Sequence, residues 1–367
     1  MISYNKFKSR WDVSLKYGEE AIAIARELNL RELLAYVLND IYLGYSVMGR
    51  FNAATQALEE SSALWRELNN MAMLGDNLSG LANLRLFLGD AKRSIEIADE
   101  SYRLNLKMHN TWGRSYSAWA LGQAHAFTGD ITQAIFFLEE SIRFGEEVGF
   151  RVPPIAARCL LAYIFSRAGQ SERGLKVLQE AFEYGQDFMR WLPFVFTVRA
   201  QLYVEQGDFT KATEALQHIE APLEQLAPLM QLFLVIAKCK LMFAQNDWAG
   251  IATFIEPIVK RKQQANAVLY SIDYFYYQAQ AYIGLGHLAE GRAILIWACQ
   301  EAQTAQSRVA LYPCLLALAN LETEPTEKHK WLTQAREAIM YIADHSPADL
   351  RETFLQTPDV KHVLESS

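Results

Sequence analysis

The chain has 367 residues and a formal net charge of −7, with 51% apolar and 21% charged residues. An acidic surface disfavours non-specific binding to nucleic acid or to an anionic membrane, so we expect neither as a partner. The apolar fraction is typical of a folded chain and excludes an intrinsically disordered one. The four cysteines lie far apart without a C-x-x-C pair, which favours reduced thiols over a disulfide scaffold.

Neither a signal peptide nor a membrane span is predicted. The N-terminal residues include Lys6, Lys8 and Arg10, but no apolar segment follows them. The most apolar stretch, 229–243, contains two lysines and is too short to cross a bilayer. We therefore expect a cytoplasmic protein.

From the N-terminus onward, chain-reversal residues recur at intervals of 38 to 40 positions. Each begins the pattern Gly-(Asp/Arg/Gln/His)-x-x-x-small, or a close variant of it. The first residues of the pattern are Gly49, Gly89, Gly129, Gly169, Gly207, Asn246 and Gly286. Such a series predicts an internal repeat of about 40 residues.

A second series of reversal residues lies between the members of the first. It consists of Asn29, Asn69, His109 and Gly149, and each follows a charged run with apolar residues at helical spacing. Asn and Gly accept the left-handed conformation that commonly ends a helix. Two helix ends about 20 residues apart predict two antiparallel helices per unit.

These stops divide the chain into one all-α solenoid over residues 1–367, with no period-two strand pattern. We expect a half repeat at the N-terminus and a cap at the C-terminus. The predicted boundaries are a half repeat at 1–29, repeats at about 30–69, 70–109, 110–149, 150–187, 188–226, 227–266, 267–304 and 305–345, and a cap at 346–367.

The units resemble tetratricopeptide repeats. Leu121-Gly122, Gly129 and Ala134 match the Leu-Gly, Gly and Ala of that family, and aromatic residues flank the turns at the family's positions. The flanking aromatics are Tyr45, Phe165, Tyr203 and Tyr282 before the turn, and Phe51, Phe209 and Trp248 after it. The resemblance implies a right-handed α-α superhelix of about eight antiparallel helix pairs.

The long units look like the C-terminal sensor arms of bacterial signalling proteins. Such arms follow signal-transduction ATPases and nucleotide cyclases, and one belongs to the maltotriose-sensing transcription activator. Counting back from Gly49 places the first residues in the second helix of a unit, and residues 349–360 resemble the end of such fusion proteins. We therefore expect covalent fusion to a larger protein, or self-association through residues 1–30.

No catalytic signature is present. The sequence lacks a P-loop, a G-x-S-x-G and an H-E-x-x-H pattern, and Gly284-Leu285-Gly286 fits a helix-to-helix turn better than a dinucleotide fingerprint. The seven histidines show no metal-ligand spacing. We predict a protein that is not an enzyme and requires no cofactor and no metal.

The resemblance also predicts a binding groove. Tetratricopeptide arrays present particular first-helix positions to their concave side, and here those positions are rich in carboxamides and aromatics. Carboxamides can both donate to and accept from a peptide backbone, while Tyr and Trp add amphipathic contact area. The predicted site residues are Tyr36, Asn39, Asn83, Tyr116, Trp119, Gln123, Tyr163, Phe194, Gln201, Tyr276 and Gln280. Alternatively, longer helices and a different superhelical pitch turn some of these residues into the core.

The leading functional prediction is a sensor or regulatory arm that binds a peptide, a protein segment or a small ligand in its groove. The alternatives are a free-standing scaffold or adaptor and a peptide-pheromone receptor. The concave positions are poor in basic residues, which disfavours an adaptor that clamps a terminal carboxylate. The receptor alternative requires an N-terminal effector domain, yet the repeat register already reaches residue 9.

Overall fold

The computed structural model describes residues 11–264 and 271–366, and in these ranges it contains α-helices and short 3₁₀ turns but no strand. The helices are α1 Trp11–Glu27, α2 Arg31–Val47, α3 Phe51–Glu67, α4 Met71–Phe87, α5 Ala91–Lys107, α6 Thr111–Thr128, α7 Ile131–Glu147, α8 Val152–Arg167, α9 Ser171–Gly185, α10 Leu192–Glu205, α11 Phe209–Gln217, α12 Pro228–Ala244, α13 Trp248–Gln264, α14 Ser271–Gly284, α15 Leu288–Thr304, α16 Arg308–Leu321, α17 Pro325–Asp344, α18 Ala348–Leu355 and α19 Pro358–Ser366. The fold is a tetratricopeptide-like solenoid, so the all-α prediction is confirmed.

The predicted reversal residues end the helices. Every member of both series has a positive φ, from His109 at 51° to Gly129 at 92°. After α2 the backbone N–H of Gly49 donates to Ser46 (3.1 Å) and that of Arg50 to Tyr45 (2.8 Å), which is the Schellman arrangement. The turn predictions are therefore confirmed, and Gln306, with φ 57°, is a further left-handed residue that the series did not include.

Small residues on the second helix of a unit allow its two helices to approach closely. The hydroxyl of Ser61 on α3 donates to the Ala35 carbonyl on α2 at 2.9 Å, and Ser101 on α5 donates to Gly75 on α4 at 2.6 Å. A hydrogen bond of this kind satisfies the buried hydroxyl, which would otherwise cost free energy. Aliphatic and aromatic side chains fill the rest of each interface and form two large core clusters, one within residues 15–121 and the other within residues 86–363.

Successive turns of the superhelix touch one another. Ser307, before α16, donates its hydroxyl to the carbonyl of Phe127 on α6 at 3.0 Å, across 180 positions of sequence. The Arg167 guanidinium on α8 donates to the Tyr312 hydroxyl on α16 at 2.9 Å, and Arg173 pairs with Asp349 at 2.9 Å. The superhelix is therefore tightly wound, and its C-terminal helices lie against α6–α9.

Residues 186–230 depart from the pattern of paired long helices. A 3₁₀ turn at Met189–Trp191 leads into α10, α11 has only 9 residues, and a second 3₁₀ turn at Leu223–Gln225 precedes α12. A proline accounts for the second break, because a proline ring lacks an N–H and pushes the preceding residue out of the helical conformation. Ala227, just before Pro228, accordingly has ψ 149°.

Among the described helices, none combines the length and the apolar run needed to cross a membrane.

Candidate functional site

A cavity of about 1440 Å³ occupies the inside of the first superhelical turn. We call it the axial cavity. Its first wall is formed by α2, α4 and α6 with the start of α8, and its second wall by residues 182–199 and 217–230. The irregular segments described above therefore close one side of the groove that the regular helices leave open.

The first wall carries a ladder of polar side chains. The Asn39 amide on α2 donates to the Asp76 carboxylate on α4 at 2.9 Å, and the Asn77 amide donates to the Asn39 carbonyl oxygen at 2.9 Å. Further along, the hydroxyls of Tyr42 and Tyr116 are 3.1 Å apart. These bonds hold the side chains of successive units in fixed positions, as a preorganised binding surface requires.

Tyr116 remains a neutral phenol at physiological pH. Burial, with the nearby Asp76 carboxylate, raises the pKa of Tyr116 to about 12. Its hydroxyl can therefore donate a hydrogen bond to one neighbour and accept one from another.

The carboxamide oxygen of Asn83 and the indole N–H of Trp119, both on this wall, are buried and lack a hydrogen-bond partner among the described residues. The two residues are only 6% and 8% exposed, and both line the axial cavity. An unsatisfied buried donor or acceptor costs about 1–3 kcal/mol. The wall thus offers one acceptor and one donor to whatever enters the cavity.

Ten Phe, Trp and Tyr residues of the described ranges line the axial cavity. Trp119 stacks on Tyr116 at 5.7 Å between ring centroids and meets Trp191 of the second wall edge-on at 6.4 Å. At the rim, Trp112 stacks on Phe150 at 4.4 Å. The remaining aromatic residues at the cavity are Tyr42, Phe87, Phe182, Phe188 and Phe196.

Charged side chains line both walls, and the second wall carries the acid Glu220 as well as two arginines. Asp40 and Asp76 lie on the first wall, and Arg190 and Arg199 on the second. The second wall also contacts α1, because the Trp11 indole donates to the Gln225 carbonyl at 3.3 Å and Arg190 lies 5.3 Å over the Trp11 ring. The start of α1 therefore supports the second wall from outside.

Five of the predicted site residues come together in the axial cavity: Asn39, Asn83, Tyr116, Trp119 and Gln123. They occupy equivalent faces of α2, α4 and α6. Gln123 also lines a second cavity of about 100 Å³, together with Tyr163 and the buried Arg167. Whether these residues bind a ligand stays a prediction.

The other predicted residues lie elsewhere. Tyr36 is 43% exposed and packs edge-on against Trp65 at 4.8 Å, outside the cavity. Tyr276 and Gln280 on α14 line neither cavity.

Two residues expected on the concave surface are core residues. Phe194 is 0% exposed and packs edge-on against Phe233 at 5.0 Å. Gln201 is 1% exposed, and its amide donates to the Phe233 carbonyl at 3.1 Å. Their predicted exposure was wrong because α12, the first helix of the next unit, packs on this face of α10.

Sequence reasoning missed the second wall. Phe188, Trp191 and Phe196 belong to the segment that breaks the repeat, so no position in the repeat pointed to them. The available signal was a cluster of aromatic residues next to Pro193, in a stretch without a reversal glycine.

Among the described residues, no three His, Cys, Asp or Glu side chains converge as metal ligands. Burial raises the pKa of the Cys159 thiol well above its ordinary value, so this thiol stays protonated at neutral pH.

No protein-family model matches the chain, and no curated protein matches it. Among solved structures, NprR in complex with its cognate peptide NprX has a TM-score of 0.47 and 14% identity, over 98% of this chain and 97% of that one. The human IFIT1 dimer with m7Gppp-AAAA has a TM-score of 0.47 and 16% identity, over 100% and 87%. A Rap protein complexed with Competence and Sporulation Factor has a TM-score of 0.40 and 9% identity, over 100% and 99%. These are tetratricopeptide-type helical repeat proteins, and the likeness concerns the fold alone.

Proposed function

We propose that this chain is a non-catalytic binding module that holds an extended peptide or protein segment in its axial cavity. The observation that carries the proposal is the pair of unpartnered atoms, the Asn83 oxygen and the Trp119 N–H, on a wall of fixed carboxamides and aromatic rings. A peptide unit presents one N–H and one C=O, which is the complement of this pair. Aromatic rings on both walls would pack against the side chains of the bound segment.

The size of the cavity favours a chain-like ligand over a small molecule. Sites for small molecules usually enclose about 300–1,000 Å³, and the axial cavity measures about 1440 Å³. Acidic and basic side chains both line the cavity, which favours a ligand that carries both signs of charge.

In the cell, we propose that this module is the sensor or regulatory arm of a signalling protein. Occupation of the cavity would fix the distance between α2–α6 and the second wall, and with it the pitch of the first superhelical turn. An attached effector would respond to that change, because a ligand stabilises the state to which it binds more tightly. The long repeat unit and its resemblance to sensor arms support this role.

The test is selection of ligands from a random peptide display library on the purified full chain. Binding of a selected peptide is then measured by calorimetry for the wild type and for Trp119→Phe, which keeps the ring but removes the N–H. We expect an affinity loss of roughly 10- to 100-fold, as for one buried hydrogen bond. Asn83→Leu, which removes the acceptor at similar volume, should lose a similar factor.

Trp331→Phe is the matched control. Trp331 lies on α17 outside the axial cavity, and its indole N–H also lacks a partner among the described residues. This variant should bind the peptide as the wild type does. If no peptide is enriched, or if Trp119→Phe and Trp331→Phe bind equally, the proposal is wrong.

A further inference from the structure

The contact between successive turns of the superhelix leaves the second cavity, of about 100 Å³, which we call the seam cavity. Side chains from α6–α8, α12, α14 and α16–α18 line it. Most of the lining is apolar, with Leu160, Phe233 and Ile342 among the residues. A ligand in this cavity would therefore touch helices of both turns.

Two opposite charges line the seam cavity without a hydrogen bond between them. They are Arg167 on α8 and Asp273 on α14, and their charges interact only through space. Among the described residues, no other charged side chain lines this cavity. A ligand that enters it meets one cation and one anion in mostly apolar surroundings, where an unpaired charge is costly.

The chain holds Arg167 in place without neutralising it. Its Nη2 donates to the Tyr312 hydroxyl at 2.9 Å and to the Val309 carbonyl at 3.3 Å. Burial raises the pKa of Tyr312, so this hydroxyl is an uncharged acceptor at neutral pH. The remaining N–H groups of Arg167, on Nη1 and Nε, bond to no described residue. They can bind a carboxylate, to which a guanidinium is well matched.

The surroundings of Asp273 suit a cation. Burial raises the pKa of this carboxyl, while the Arg167 charge, a hydrogen bond from its own backbone N–H and the Lys240 charge oppose that rise. Lys240 is already paired with Glu205, and neither of these two residues lines the seam cavity. A further cation beside Asp273 would stabilise its ionised form.

We propose that the seam cavity binds a free α-amino acid of about the size of alanine, whose carboxylate pairs with Arg167 and whose ammonium group pairs with Asp273. A zwitterion satisfies both protein charges, whereas a simple anion or cation leaves one of them unpaired. The size follows from the volume: a water molecule occupies about 30 Å³ in the liquid, so the cavity has room for about three. The methyl group of alanine packs against the apolar lining.

This site is separate from the one proposed for a peptide. Neither Arg167 nor Asp273 lines the axial cavity, so the inference does not rest on the function proposed above.

Calorimetric titration of the full chain with L-alanine tests the proposal. Propionate and ethylamine are the matched analogues, because propionate lacks the ammonium group and ethylamine lacks the carboxylate. We expect L-alanine to bind and each analogue to bind at least about tenfold more weakly, since each leaves one protein charge unpaired. L-Tryptophan, which is too large for the cavity, should not compete. A chain that does not bind L-alanine, or that binds either analogue equally well, overturns the proposal.

Two variants test the assigned residues. Arg167→Gln and Asp273→Asn should each weaken L-alanine binding by about tenfold or more. Arg173→Gln is the matched control: Arg173 pairs with Asp349 at 2.9 Å across the same seam but does not line the cavity, so this variant should bind as the wild type does.

Circular dichroism checks that the three variants keep their helix content. If Arg167→Gln unfolds, Asp273→Asn and the two analogues still decide, because they leave the bonds of Arg167 across the seam in place. Wild-type affinity in folded Arg167→Gln or Asp273→Asn contradicts the assignment.

Discussion

The regular helices α2–α7, of which α2, α4 and α6 line the axial cavity, and the irregular segment 186–230 on its other side are built by different rules. Each of the six regular helices has 17 or 18 residues and ends at a left-handed residue. The irregular segment contains two 3₁₀ turns and a helix of 9 residues, with prolines at its breaks. The repeated helices place side chains at even intervals along one wall, whereas the irregular segment forms the opposite wall of the cavity. The shape of the site therefore depends most on the part of the chain that is least repetitive.

We expect the largest loss of stability in a comparison of two tryptophan substitutions, one in each region. Trp65 on α3 is 0% exposed, so Trp65→Ala should lower the free energy of unfolding by about 3–5 kcal/mol. Trp191 is half-buried at the cavity, and Trp191→Ala should cost only about 1–2 kcal/mol. Urea denaturation of both variants measures the difference. Equal losses would show that the irregular wall is packed as firmly as the repeats.

We expect smaller losses of stability when a glycine in each region is replaced by alanine. A Cβ at Gly122 would lie 2.7 Å from the Leu138 Cγ, so Gly122→Ala overpacks the α6–α7 interface and should cost about 1–3 kcal/mol. Gly207, which begins the irregular α11 unit, has φ 76° and no neighbouring atom within 4 Å of a Cβ. Gly207→Ala therefore bears only backbone strain, about 1 kcal/mol. Thermal unfolding of the two variants measures which substitution costs more stability. A larger loss for Gly207→Ala than for Gly122→Ala would contradict the packing argument.

The sequence predicted the features that depend on local chemistry. Gly49 and Asn29 end helices because few other residues accept a positive φ, and a constant interval between such residues requires stacked helix pairs. Asn39 and Trp119 were expected at the groove because their helix face follows from the repeat register. Each of these inferences uses only neighbours in one unit.

The features that the sequence did not predict depend on how one unit packs on another and on where the repeat is interrupted. Phe194 and Gln201 have the same register as the groove residues, but α12 of the next unit buries them. Trp191 lines the cavity in the segment where the chain leaves the repeat, next to Pro193. Neither the packing between units nor the path of a broken repeat can be read from periodicity.

The smallest expected effect concerns charge in α10. Burial alone would raise the pKa of Glu205, but the Lys240 ammonium, with hydrogen bonds from Lys240 and Ser166, lowers it below its ordinary value. A lowered pKa adds stability at neutral pH that disappears as the pH falls below about 4.5, through the pKa of the folded state. Glu205→Gln should therefore cost about 1 kcal/mol or less at pH 7, because solvent screens part of this interaction.

The free energy of unfolding of Glu205→Gln and of the wild type, measured as a function of pH, tests whether the stabilisation by Glu205 is lost in acid. The difference between the two proteins should disappear at low pH. A difference that persists unchanged at low pH would assign the effect to packing instead of charge.

The hydrogen bond from Ser307 to Phe127 joins units that are separated by 180 positions in the sequence. An array in which each unit touches only its neighbours behaves as a one-dimensional chain and can melt from its ends inward. Contacts between turns remove that independence, since α16 cannot detach without exposing part of α6. We therefore expect hydrogen exchange in α6 and α16 to slow and speed up together, so that the protein opens as one cooperative body where a linear array would fray.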